Sequence, residues 1–168
     1  ATPRQIGAPS VWGPTLDTAG QGIKIAILDS GVDPEHPFFD PSGYTMPPGF
    51  PKGQTRFTTA KVIVARVFAP KGSTAASTRV AYSDDDSSHG THVAGIAAGT
   101  ATAFVPAGVA PGADVLAVKV FGAGGQTDLL VDGLEWALEA NLDAALRRAP
   151  RRIDVVNLSL GIAYGAKV

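Results

Sequence analysis

The chain has no cysteine and a single methionine in 168 residues. Disulfides and thiolate metal sites are therefore excluded, while the redox compartment stays open. Aromatic residues make up 7% and charged residues 17%, with 14 Lys and Arg against 15 Asp and Glu. A net charge of −1 gives no basic surface for nucleic acid or an anionic bilayer. No apolar run is long enough to span a membrane, and the opening ATPRQIGAPSVWG lacks the basic start and long apolar stretch of a secretory leader. Nucleic-acid binding and membrane insertion are set aside on these grounds. The hydrophobic fraction, 45%, suffices for a real core in one domain or part of a larger one. The 20 Gly and 13 Pro fall mainly between the apolar runs.

Four apolar, β-branched runs read as strands: residues 23–29, 61–68, 114–120 and 153–160. The first is almost continuously apolar, as in a central parallel strand buried on both faces, and it closes on Asp29. Residues 33–60 and 69–86 are Pro-, Gly- and Asp-rich loops, the second ending in Asp84-Asp85-Asp86. Short helices fit residues 6–12 and 14–19. A helix starts at the run SHGTHVAG, with Ser87 or Ser88 as its cap, and continues to Gly99. His89, His92, Val93 and Ile96 share one of its faces. A longer helix is expected over residues 127–148, capped by Thr127, with Leu130, Leu134, Ala137 and Leu138 along one side and Gly133 marking close packing. Strands alternating with helices predict an α/β fold with a parallel sheet of about four strands. In such sheets, reactive groups gather beyond the carboxyl ends of the strands. Asp29 and the Ser159-Leu160-Gly161 segment both stand at such ends.

Each of these residues also has a plainer reading. Asp29 before Ser-Gly fits an Asx turn. His89 fits a helix-start histidine with a structural hydrogen bond. The His89/His92 pair could ligate a metal with Asp84–Asp86, but zinc peptidases space their histidines four apart around a glutamate.

Taken in order, Asp29-Ser30-Gly31, the SHGTHVAG helix and Asn157-Leu158-Ser159-Leu160-Gly161 resemble the subtilisin family of serine peptidases, the subtilases. Gly108-Val109-Ala110-Pro111, Val118-Lys119-Val120 and Leu134-Glu135-Trp136-Ala137 extend the resemblance over residues 5–161. It implies a three-layer, doubly wound, mainly parallel sheet, and a serine endopeptidase acting on polypeptide. Asp29 and His89 then correspond to the Asp and His of a catalytic triad, and His92 to a structural histidine. Ser159, Leu160 and Gly161 correspond to the segment that holds substrate, with the loop 121–125 as the opposite wall. Extracellular or cell-surface location is part of the same implication.

The family's Gly-Thr-Ser nucleophile motif does not occur in the sequence. Residues 1–168 are thus expected to be the first part of a longer catalytic domain: the Asp and His are present, the serine half is absent, and the piece is inactive alone. The missing half would come from the same chain or a second one. The alternatives are a pseudoenzyme or complementing fragment that binds peptide without cleaving it, and a doubly wound ligand-binding domain. Calcium is common in the family, but the matching loop, residues 100–106, has almost no side-chain oxygens. No cofactor is expected to be required, and calcium is left possible elsewhere in the full-length protein.

Overall fold

The computed structural model describes residues 2–16, 18–74, 76–82, 88–121, 129–146 and 153–161. Five strands, β1 (Lys24–Asp29), β2 (Lys52–Gly53), β3 (Val62–Val67), β4 (Asp114–Lys119) and β5 (Val155–Asn157), form one sheet in the order β2-β3-β4-β1-β5. Every pairing is parallel. The α-helices among the described residues are α1 (Thr2–Gln5), α2 (Ala76–Arg79), α3 (Ser88–Ala98) and α4 (Leu130–Leu146).

The period-2 alternation of the strands sorts their side chains into two cores. Ile25 and Ile27 of β1 and Val115 and Ala117 of β4 join Ala94 and Ala98 of α3 on one face. Ala26, Leu28, Leu116 and Val118 join Ala137 of α4 on the other. The result is three layers, helix on sheet on helix. Both crossovers, β3 through α3 to β4 and β4 through α4 to β5, advance in the same direction along the sheet, yet their helices cover opposite faces. One of the two is therefore left-handed, an uncommon connection in parallel sheets.

Among the described residues the sheet has five strands where the apolar runs predicted four. The extra strand, β2, is two residues inside a Pro/Gly-rich loop and has no hydrophobic signature. β5 covers three residues of the eight expected, and among the described residues it lies at the sheet edge and pairs only with β1. Residues 14–19 form turns, closed by Leu16 N–H on Gly13 O and Ala19 N–H on Leu16 O, rather than a helix; Asp17 lies outside the described residues. The predicted cap Ser87, the acidic run Asp84–Asp86, Thr127 and Arg148 also lie outside them.

The inner side of α4 differs from the expectation. Gly133, Ala137 and Ala144 are buried, while Leu134 and Leu138 point outward. The cause is close approach. A Cβ placed on Gly133 would stand 2.8 Å from Val120 Cγ1 and 3.2 Å from Leu28 Cδ2. At that separation only small side chains fit beneath the helix. Val131, Leu134, Leu138, Leu142 and Leu146 instead make an outward apolar stripe.

Candidate active site

Asp29 ends β1, paired with Lys119 of β4, at the carboxyl edge of the sheet. Its carboxylate is buried and needs donors, since burial without hydrogen bonds would disfavour the charge. Ser30 N–H donates to Oδ1 at 2.7 Å. His89 Nδ1 lies 2.8 Å from Oδ1 and 3.0 Å from Oδ2. The Asp29 side chain is 2% exposed and that of His89 60% exposed.

His89 reaches this position because the first turn of α3 is fastened to the chain after β1. Gly90 N–H donates to Ser30 Oγ at 3.1 Å. Thr91 Oγ1 accepts from Asp33 N–H at 2.9 Å. A Cβ on Gly90 would fall 2.1 Å from Gly31 O, so only glycine permits the approach. Ser30, Gly90, Thr91 and Asp33 were not singled out by sequence reasoning. Ser30, Gly90 and Thr91 sit inside the two motifs that were and Asp33 lies just beyond the first, but their mutual contacts span about sixty residues and have no local signal.

A carboxylate accepting from Nδ1–H fixes the imidazole tautomer and leaves Nε2 free to take a proton. His89 Nε2 has no hydrogen-bond partner among the described residues. The arrangement can therefore serve as an oriented general base. Of the residues expected to share a face, His89, His92 and Ile96 are exposed while Val93 is half-buried against the core; Gly90, Thr91, Ala94 and Ala98 are buried. His92 is exposed and lines a neighbouring cavity with Phe38 and Ile96, away from Asp29.

Ser159, Leu160 and Gly161 follow β5. The register Ile27–Asn157 brings Ser159 level with Asp29 at the same edge of the sheet. Ser159 and Gly161 are exposed, and Ser159 Oγ donates to Asn157 Oδ1 at 2.9 Å. No hydrogen bond joins the segment to Asp29 or His89 among the described residues. Of the loop 121–125, only Phe121 is described, its N–H 3.4 Å from Asp29 O.

The loop 100–106 offers side-chain oxygens only at Thr100 and Thr102. It borders a cavity whose wall includes Pro3, Phe38, Ile96, Val105, Pro106 and Ala107. The Phe38 ring lies 2.5 Å from where a Gly95 Cβ would stand, and Thr100 N–H and Oγ1 both bond Phe38 O, at 2.8 and 3.1 Å. Calcium wants six to eight oxygens, and this wall is mostly carbon.

The fold is a parallel α/β sheet with a buried aspartate and an exposed histidine meeting at the carboxyl end of β1. Residues 20–167 match the Subtilase family, and the chain belongs to it. The chain is 31% identical to an Intracellular serine protease of Paenibacillus polymyxa over 93% of its length and 37% of that protein. It is 30% identical to Subtilisin E of Bacillus subtilis over 96% of its length and 32% of that protein. It is 35% identical to Minor extracellular protease Vpr of Bacillus subtilis over 93% of its length and 16% of that protein. The chain spans about a third of the length of the first two of these relatives. No described helix is long and apolar enough to cross a membrane.

Proposed function

We propose that residues 1–168 supply the Asp–His half of a serine endopeptidase, with Asp29 orienting His89 and His89 acting as general base. The observation that carries this reading is the 2.8 Å contact between His89 Nδ1 and the buried Asp29 Oδ1. A serine hydroxyl attacks the peptide carbonyl while His89 Nε2 takes its proton; the imidazolium then protonates the leaving amine. Asp29 stabilises that imidazolium without taking the proton.

The serine and the oxyanion donors come, in this reading, from polypeptide outside these 168 residues, in the same chain or a second one. Two features support it: no Gly-Thr-Ser occurs in the sequence, and both the outer stripe of α4 and the edge strand β5 (Val155, Val156) present apolar side chains to solvent. Ser159, Leu160 and Gly161 are the proposed substrate-holding segment, against which an extended polypeptide adds as a further strand. Extracellular action belongs to the same proposal, as does the absence of a calcium requirement at the loop 100–106, which its carbon-rich wall supports. A second reading, a pseudoenzyme or complementing fragment that binds peptide without cleavage, is favoured by the missing nucleophile motif alone.

Labelling by a fluorophosphonate probe separates the two. The full-length polypeptide should label and hydrolyse a peptide substrate, and lose both with His89→Ala. A full-length protein that folds yet neither labels nor cleaves would leave only the second reading.

A further inference from the structure

Asp114 opens β4 at the amino-end edge of the sheet, where it pairs with Lys24 of β1. The Asp29–His89 pair stands at the far end of the same strands, roughly 16 Å away at the usual strand rise. Asp114 is 8% exposed, and its carboxylate accepts no hydrogen bond among the described residues. Its two lysine neighbours direct their donors elsewhere: Lys61 Nζ to Pro111 O and Ala113 O, Lys24 Nζ to Gly22 O at 3.3 Å. Neither forms an ion pair with it. They act on Asp114 through their fields alone, and burial raises its carboxyl further than they lower it. A carboxylate taken out of water without replacement partners calls for a donor.

The carboxylate is also within reach. Among the described residues, Arg66 Nε is the one buried side-chain polar atom that is both sealed from water and unbonded. The unbonded Asp114 oxygens are therefore open to a water-sized group, and Asp114 lines a cavity of about 720 Å³. Leu16, Tyr44, Thr45, Met46 and Pro111 stand in the wall, and Asp114 is its only charged side chain among the described residues. A mostly apolar hollow of about 300–1,000 Å³ with a few fixed polar groups is the usual form of a small-molecule site. A bare divalent ion does not match this wall. One carboxylate falls short of the roughly six to eight oxygens that calcium takes, and no described group of three or more His, Asp or Glu could hold a metal. Lys24 and Lys61 oppose a further cation, but at longer range than the contact pair it would make with Asp114. Burial also holds the Lys61 ammonium down at about 7, so that it can release its charge.

We propose that this cavity binds a small organic cation, an alkylammonium or alkylguanidinium. Asp114 accepts hydrogen bonds from the head group, and Leu16, Met46 and Pro111 pack against the carbon tail. Charge-assisted bonds to a carboxylate fix the head, and apolar burial holds the rest.

Calorimetric titration of the full-length polypeptide with hexylammonium, and separately with hexylguanidinium, in sodium chloride at constant ionic strength is the test. At least one should bind saturably. Asp114→Asn should weaken that binding about tenfold or more, as loss of a charge-assisted bond implies. Thr45→Arg, at an exposed position in the wall, should abolish it by placing a cation in the cavity. Tighter binding of Nα-acetyl-lysine amide than of hexylammonium assigns the head group to a polypeptide's lysine; the reverse order assigns a free amine. No saturable binding by any of these cations overturns the proposal. So does 1-hexanol binding as tightly as hexylammonium, which would make the cavity merely apolar, and so does saturation by calcium alone. An affinity that Thr45→Arg leaves unchanged refutes it even if Asp114→Asn does not fold.

Discussion

Asp29 and His89 differ in exposure as the proposed proton-transfer pair requires: the carboxylate is withdrawn into the sheet and the imidazole faces outward. Removing the negative charge while keeping the shape tests that division. If the proposed reading holds, Asp29→Asn in the full-length protein should lower kcat by roughly four orders of magnitude, the loss typical of this exchange in triad enzymes. Substrate KM should change little, since Asp29 touches His89 and not the peptide. Steady-state peptide hydrolysis checks both numbers. Gly90 makes a steric prediction. A methyl group there would meet Gly31 O at 2.1 Å, so either the helix or the loop must shift. Gly90→Ala should destabilise the protein by about 1–3 kcal/mol, as overpacking does, with activity falling as His89 moves off Asp29. Thermal unfolding and turnover measured on the same sample distinguish the two effects.

At the scale of elements, the entry to β3 is clamped by a buried lysine. Lys61 is fully buried, and Nζ donates to Pro111 O at 2.6 Å and to Ala113 O. Nζ also sits 4.5 Å from the Tyr44 ring centroid, while Tyr44 OH donates to Pro111 O. The clamp thus ties β3, the turn before β4 and the 40–50 loop together. Burial pushes the Lys61 ammonium down to about 7 from 10.5, against the opposing pull of Asp114. Burial likewise raises the Asp114 carboxyl, against Lys24 and Lys61. Between pH 7 and 10.5 the unfolded chain carries a proton on this lysine that the folded chain has released. Stability therefore rises with pH through that window, and the Lys61 term is flat below it. Lys61→Met should lower stability overall and remove that slope. Unfolding midpoints measured across the window are the check. An equal slope in both proteins would count against the buried-lysine account.

The element α3–loop 100–106 carries a second test. With Phe38 and its neighbours in place of oxygen ligands, chelation should leave the loop's susceptibility to limited proteolysis unchanged in the full chain. Protection that disappears in EDTA and returns with calcium would refute that expectation.

At the scale of the whole molecule, one face of α4 and the β5 edge both present apolar groups to water. Exposed edges and apolar stripes invite pairing with more polypeptide. Residues 1–168 alone should show no peptide hydrolysis and should self-associate. Charged substitutions at Leu138 and Leu142 should reduce that association in the isolated piece. In the full-length protein, the same substitutions should impair folding if the rest of the domain covers this face. Light scattering and an expression-yield comparison read the two outcomes.

Much of this molecule was legible in its residues. The near-continuous apolar runs named the β1, β3 and β4 strands within a residue or two, because burial on both faces leaves a compositional mark. The SHGTHVAG run placed α3, and the Asp29-Ser30-Gly31 and SHGTHVAG motifs named the two residues that meet at 2.8 Å. The two-residue β2 left no such mark, because a strand that short carries almost no periodicity. The direction of α4's leucines depended on how near the helix lies to Val120 and Leu28, a distance no local pattern encodes. The latch of Ser30, Asp33, Gly90 and Thr91 and the Lys61 clamp likewise arise from contacts between residues far apart in sequence. Side-chain chemistry and its period are written locally. Separations between packed elements are decided only when the whole chain closes on itself.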